Sequence, residues 1–240
     1  MIVLFTDFGL QGPYTGQMHA RLLQLAPDVP VINLFSDLAA FDVQAAAYLL
    51  PAYTQGFPAG TVFLCVVDPG VGGERPAVIL KADDRWFVGP NEGLFALVAR
   101  RAERVECHEL PPASGVSSSF HGRDVFAPVA ARLASGQSVD ARPVPAGSVE
   151  QPGWPNDLLR VVYVDRYGNA VTGIRASQLD TTRVIHVNGH ALHAQRTFSD
   201  VPSGAPFWYE NSSGLIELAV NQGRADEQLG TDVGVTVSVT

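Results

Sequence analysis

The sequence predicts two domains, an N-terminal three-layer α/β domain and an all-β C-terminal barrel, on three observations. The first 136 residues alternate strand-like and helix-like stretches, the pattern of an α/β layer architecture. Residues 140–156 (DARPVPAGSVEQPGWPN) hold four prolines and two glycines without periodicity, which marks a linker. Beyond it, alternating apolar segments and turn dipeptides replace the helical pattern. The expected divisions are therefore 1–139, a Pro-rich linker at 140–156, and 157–240.

In the first domain, Ile2 to Thr6 is a short apolar strand ending at Asp7 and Gly9. Pro13 suits the first turn of a helix whose Leu22, Leu23 and Leu25 share a side, before Pro27. Val31 to Leu34 reads as a second strand, and Asp42 as the N-cap of a helix carrying AAAYLL. Thr61 to Val67 (TVFLCVV) is apolar on both faces, as a central strand covered on each side must be. Strands near Val78 and Phe87, a helix after Gly93, a strand near Val105 and a helix from about Val125 to Ser135 complete the domain. In the second domain, Leu158 to Val164 is a strand and Tyr167-Gly168-Asn169 a turn. Val184 to Val187 followed by Asn188-Gly189 is a hairpin, and LIELAV (215–220) and VGVTVSV (233–239) are further strands.

The chain has 240 residues, with Lys+Arg 16 against Asp+Glu 24 and a net charge of -8. An acidic total disfavours nucleic acid as the main partner, because phosphate binding rests on a basic surface. No apolar run approaches the roughly 20 residues that span a bilayer, and MIVLFTDFG meets Asp7 without a basic n-region, unlike a signal peptide. Cys65 and Cys107 alone make neither a disulfide framework nor a zinc site. The histidines show no metal-ligand spacing, so no metal site is expected. A cytoplasmic protein acting on a small molecule is the expectation.

Four polar clusters sit at strand ends or in Gly-rich loops, where ligands bind in open α/β sheets. Thr6-Asp7-Phe8-Gly9 places a carboxylate that can accept both hydroxyl protons of a ribose diol; read alone, it suits a helix or turn cap better. Asp68 to Arg75 (DPGVGGER) lacks the Lys-Ser/Thr of a phosphate loop, and its Asp and Arg can pair to pin the loop. Ser119 to Asp124 (SFHGRD) precedes a helix; His121 can reach substrate or be merely solvated, Asp124 suits an N-cap, and Arg123 a carboxylate partner. In the β domain, Asp165, Tyr167, Gly168, Asn169, Phe198 and Asn211 to Gly214 offer rings for a purine face and amides for its edge, or a core and a turn.

Order and spacing say more than any one cluster. TDFG at 6–9, VVDPGVGGER at 66–75, GPNEGLF at 89–95, SFHGRDVFAPVAA at 119–131, VDRYGN at 164–169 and NSSGLIELAVNQG at 211–223 closely resemble the S-adenosylmethionine hydrolase (adenosine-forming) family. These SAM hydroxide adenosyltransferases are relatives of the fluorinating and chlorinating enzymes. The resemblance runs from residue 2 to about residue 225. It implies an α/β/α domain, a β-barrel, and a homotrimer with each active site between one subunit's N-terminal domain and a neighbour's C-terminal domain. The implied reaction is attack of water or hydroxide on the ribose 5′-carbon of S-adenosylmethionine, giving adenosine and L-methionine without a cofactor.

By the same resemblance, Asp68, Arg75 and His121 hold and activate the water, and Asp7 binds the ribose diol. Tyr167 and Asn169 contact adenine, Phe198 is a second stacking ring, and Asp165 and Ser212 lie at the methionine end. Phe41 aligns with a pocket aromatic of the halogenating enzymes. Gly122 stands where the fluorinating enzyme has a halide-contacting serine. The sequence departs from the family pattern at Gly12, Ser36, Asn91-Glu92 and Gly173. Halide adenosyl transfer is the alternative within enzymes; a non-catalytic adenosine or SAM binder is the alternative outside them.

Overall fold

The computed structural model describes residues 1–240, folded as two compact units, Met1–Pro152 and Gly153–Thr240. No helix is long and apolar enough to cross a membrane.

The first unit contains β1 (Ile2–Thr6), α1 (Tyr14–Leu25), β2 (Val31–Phe35), α2 (Val43–Thr54), β3 (Val62–Val66), β4 (Ala77–Ala82), β5 (Arg85–Pro90), α3 (Ala96–Arg101), β6 (Val105–Glu109), α4 (Ala127–Ala134) and β7 (Arg142–Val144). The strands form one sheet in the order β2-β1-β3-β5-β4-β6-β7. It is mixed: β2, β1, β3 and β5 run parallel, while β4, β6 and β7 pair antiparallel. The reversal from β4 to β5 is a two-residue turn at Asp83-Asp84, both at positive φ, the geometry that matches strand twist in a tight hairpin.

Alternate residues of β1 feed opposite faces. Ile2 and Leu4 pack with Met18 and Leu22 of α1 and with Phe126, Ala127 and Ala130. Phe5 turns the other way onto Phe35, which in turn meets Tyr53 of α2. The sheet is thus covered on both sides, which is why every residue of β3 is buried and apolar. Asp42 caps α2 as expected, accepting from the Ala45 N–H at 2.9 Å. In α1, however, only Met18 and Leu22, one turn apart, are buried; Leu23 and Leu25 face outward, because a 100° step per residue cannot keep 22, 23 and 25 on one side.

Two expectations about the remaining chain change. Residues 140–156 are not a bare linker: Arg142–Val144 pair with β6 and Ala146–Val149 form a 3-10 turn. Pro143 is tolerated there because β7 is an edge strand, where a missing N–H breaks no inner ladder. The C-terminal unit is β-rich, as expected, with its strands in two sheets. Its elements are β8 (Leu158–Val164), β9 (Ala170–Arg175), β10 (Val184–Val187), β11 (His190–His193), β12 (Pro206–Glu210), β13 (Leu215–Val220), α5 (Ala225–Gln228) and β14 (Ser238–Val239). Their orders are β12-β13-β9-β8 and β11-β10-β14. The β10–β11 turn is the expected Asn188-Gly189, with φ of 46° and 83°. The strand expected over 233–239 shrinks to β14; Gly234 at φ 96° interrupts it, leaving an isolated pairing of Arg160 with Thr236.

Candidate active site

β1 sits between β2 and β3, so the chain leaves the C-terminal end of β1 toward one side of the sheet and that of β3 toward the other. Such a reversal of strand order opens a crevice beyond the strand ends. Asp7 directly follows β1, and Asp68 lies two residues past β3. Both line a cavity of about 280 Å³, together with Phe8, Tyr14, Phe41, His121 and Gly122.

The DPGVGGER loop folds back as its composition suggested. Arg75 Nε donates to Asp68 Oδ1 at 2.8 Å, and Arg75 Nη2 bonds Asp68 Oδ2. The pair is well buried, with 9% and 5% of the two side chains exposed, and the guanidinium lies 5.3 Å above the Phe126 ring. Arg75 Nη2 also lies 3.1 Å from His121 Nδ1. Gly72 makes this closure possible. It has φ 81°, and a Cβ there would stand 2.5 Å from the Ser118 carbonyl oxygen, so only glycine lets the loop lie against the chain leading to His121.

His121 precedes a π-helical turn, Gly122–Phe126, that runs into α4. Asp124 is not the N-cap the sequence suggested. It lies inside the turn, where it takes both arms of Arg123 at 2.7 and 2.8 Å; the wider turn re-aims this segment toward the cavity, a common use of π geometry. Arginine only donates, so His121 Nδ1 must accept and the proton of the neutral ring sits on Nε2. Burial, and next the Arg75 charge, hold the His121 pKa below its ordinary 6.5. Protonation would set an N–H against the guanidinium and break the contact. Activity should therefore fall on the acid side with a midpoint below 6.5; an acid-side midpoint at or above 6.5 in the kcat/KM–pH profile would contradict this.

Asp7 Oδ2 accepts the Phe41 N–H at 3.0 Å. Phe41 takes φ 66°, and its ring is 72% exposed at the cavity rim. Burial raises the Asp7 pKa above 3.8, opposed by the Phe41 N–H. Phe8 and Phe120, from two of the polar clusters, join Tyr14, which the sequence did not single out, in an apolar wall with ring centroids 5.3–5.9 Å apart. The signal for Tyr14 was its place in FGLQGPY, six residues after Phe8.

The C-terminal candidates belong to the second unit. Asp165 Oδ1 accepts the N–H groups of Tyr167 and Asn169 at 2.8 and 2.9 Å, and Oδ2 accepts from Asn169 Nδ2 at 3.1 Å. This shapes a turn that buries Asn169 and leaves Tyr167 75% exposed. Phe198 is half-buried against Phe207 and Tyr209, at 5.2 and 5.3 Å. Ser212 lines a wide depression with Trp208, Glu210 and Asn211. Glu217, absent from the expected site, is a buried carboxyl whose pKa is raised by burial.

Residues 2–142 match the SAM hydroxide adenosyltransferase N-terminal domain and residues 159–238 its C-terminal domain. The chain is 38% identical to the (R)-S-adenosyl-L-methionine hydrolase of Thermus thermophilus, over 98% of each chain. It is 24% identical to a fluorinase of Nocardia brasiliensis, over 100% of this chain and 96% of the other. Its fold superposes on the crystal structure of an uncharacterized conserved protein from Thermotoga maritima with TM-score 0.88 at 30% identity, covering 100% and 99% of the two chains.

Proposed function

The chain belongs to the SAM hydroxide adenosyltransferase family, and from that premise we propose that it hydrolyses S-adenosyl-L-methionine to adenosine and L-methionine. The observation that carries this is the buried Asp68–Arg75 pair in contact with His121, opening onto a cavity that also holds the Asp7 carboxylate. The sulfonium leaves as a neutral thioether, so the leaving group needs no acid. What the protein must supply is a water held in line with the carbon–sulfur bond. Arg75 lowers the pKa of that water, and the Nε2–H of His121 orients it. Asp68, which keeps lone pairs beyond those Arg75 occupies, takes its proton. The water oxygen bonds C5′ as the C5′–S electron pair departs with methionine.

Asp7 would accept the ribose diol, with Phe41 at the rim. Tyr167, Asn169 and Phe198 would hold adenine, and Asp165 and Ser212 the methionine end, in a homotrimer in which a neighbouring copy supplies the C-terminal residues. The exposed Tyr14 and Phe41 rings line the same cavity and support such an assembly, since together they give it an apolar rim that a neighbouring copy would cover. The C-terminal sheets read as a barrel, because isolated pairings of Arg160 with Thr236 and Ala194 with Trp208 join their open edges.

Turnover of SAM in oxygen-18 water tests the proposal: label should appear in the adenosine 5′-hydroxyl. Unlabelled adenosine, or SAM left intact, overturns it. Halide transfer is the second reading, and Gly122 weighs against it. A Cβ there would lie 3.1 Å from the Phe8 ring and 3.3 Å from Phe120, so position 122 offers no halide-binding hydroxyl, and a side chain added there would crowd both rings. Gly122→Ser should lower SAM hydrolysis without yielding 5′-chloro-5′-deoxyadenosine in chloride; accumulation of that product by the wild type would favour the second reading.

A further inference from the structure

Glu217 lies on β13 and is 5% exposed, and no step above uses it. Tyr209 Oη donates to its Oε1 at 2.5 Å and Asn211 Nδ2 to its Oε2 at 2.9 Å, and the Asn169 side chain donates to it as well. A carboxylate only accepts, so each group turned toward it must present hydrogen. Asn169 Nδ2 also donates to Asp165 Oδ2. Flanked by two carboxylates, the Asn169 amide commits its N–H groups to protein and keeps its carbonyl oxygen for a ligand. Asn211 is different: its Oδ1 is occupied by the Ser213 and Leu215 N–H groups at 2.9 and 3.1 Å, so it shapes the 211–214 turn and reads nothing.

We propose that Glu217, together with Asp165, orients the Asn169 amide to offer an acceptor, and that this selects a 6-aminopurine nucleoside over its 6-oxo counterpart. Glu217 is then a positioning residue that acts through Asn169. An exocyclic amine donates to the fixed oxygen; a 6-oxo group would face it lone pair to lone pair, leaving two polar groups unpaired. A site built around one donor rejects the analogue that lacks it far better than an apolar pocket rejects a change in size. The inference rests on the proposed function at one point, that a purine edge meets Asn169.

The test is calorimetric binding of adenosine and inosine to the full-length protein, with hydrolysis of SAM followed separately. The wild type should prefer adenosine by about tenfold or more. In Glu217→Ala the amide is held by Asp165 alone and turns more readily to offer either edge, so the preference should shrink to within about threefold. Glu217→Gln keeps the side-chain volume should alanine prevent folding, and removes one acceptor; it should narrow the preference likewise. Equal weakening of both nucleosides in a folded variant, or no preference in the wild type, overturns the inference. The proposed function fails separately: adenosine preferred through Glu217 with SAM untouched keeps the inference and removes the hydrolase, whereas SAM hydrolysis with an unchanged ratio does the reverse.

Discussion

Arg75→Ala is expected to lower kcat for SAM by about 10²–10³-fold, the usual consequence of losing a charged group aimed at the reacting oxygen. It should also cost about 3–5 kcal/mol of stability, because the Asp68 carboxylate is left buried without its partner. Both effects follow from the same geometry: two hydrogen bonds between side chains that are 9% and 5% exposed. Stability and chemistry are separable by the double variant Asp68→Ala/Arg75→Ala. Removing both charges should recover much of the lost stability in urea denaturation while kcat stays low. Arg75→Lys keeps the charge but not the planar fork that reaches Asp68 and His121 together. It should fold and still be slow. Wild-type turnover in Arg75→Ala would remove Arg75 from the chemistry.

Asp7→Asn is expected to raise KM for SAM by about 10–100-fold with kcat changed far less. A carboxylate has lone pairs for the Phe41 N–H and for a diol at once; an asparagine has a single acceptor oxygen, already wanted by Phe41 at 3.0 Å. The same variant should lose its preference for SAM over the 2′-deoxy analogue, since the missing hydroxyl would no longer matter. An unchanged KM, or a preference for the 2′-hydroxyl that survives the substitution, would place the diol elsewhere.

Several features of the site were legible in the chain. Asp7 and Asp68 stand at the ends of apolar runs, and a polar residue there falls in the crevice of an open sheet. The seven-residue spacing of Asp68 and Arg75 across three glycines allowed a folded-back pair, and the pair forms. Asp42 and Asn188-Gly189 were equally readable, because a cap and a two-residue turn depend on neighbours in sequence alone. Asp124 was misjudged because the choice between a capped α-helix and a π-helical turn is made by what packs around it. Residues 142–144 were misjudged for a similar reason: whether a Pro-rich stretch stays free or joins an edge depends on a strand, β6, more than thirty residues earlier.

The amino-acid order by itself determined the two-part division into α/β and β-rich halves, the family, and the residue types available for the chemistry, since periodicity, turn dipeptides and motif spacing are local properties. Only the folded molecule decided that His121 Nδ1 meets Arg75 across a separation of 46 positions, that Phe8, Tyr14 and Phe120 form one wall, and that Glu217 and Asp165 leave Asn169 a single free edge. Hydrogen-bond direction and desolvation belong to groups brought together in space, and no linear pattern carries them.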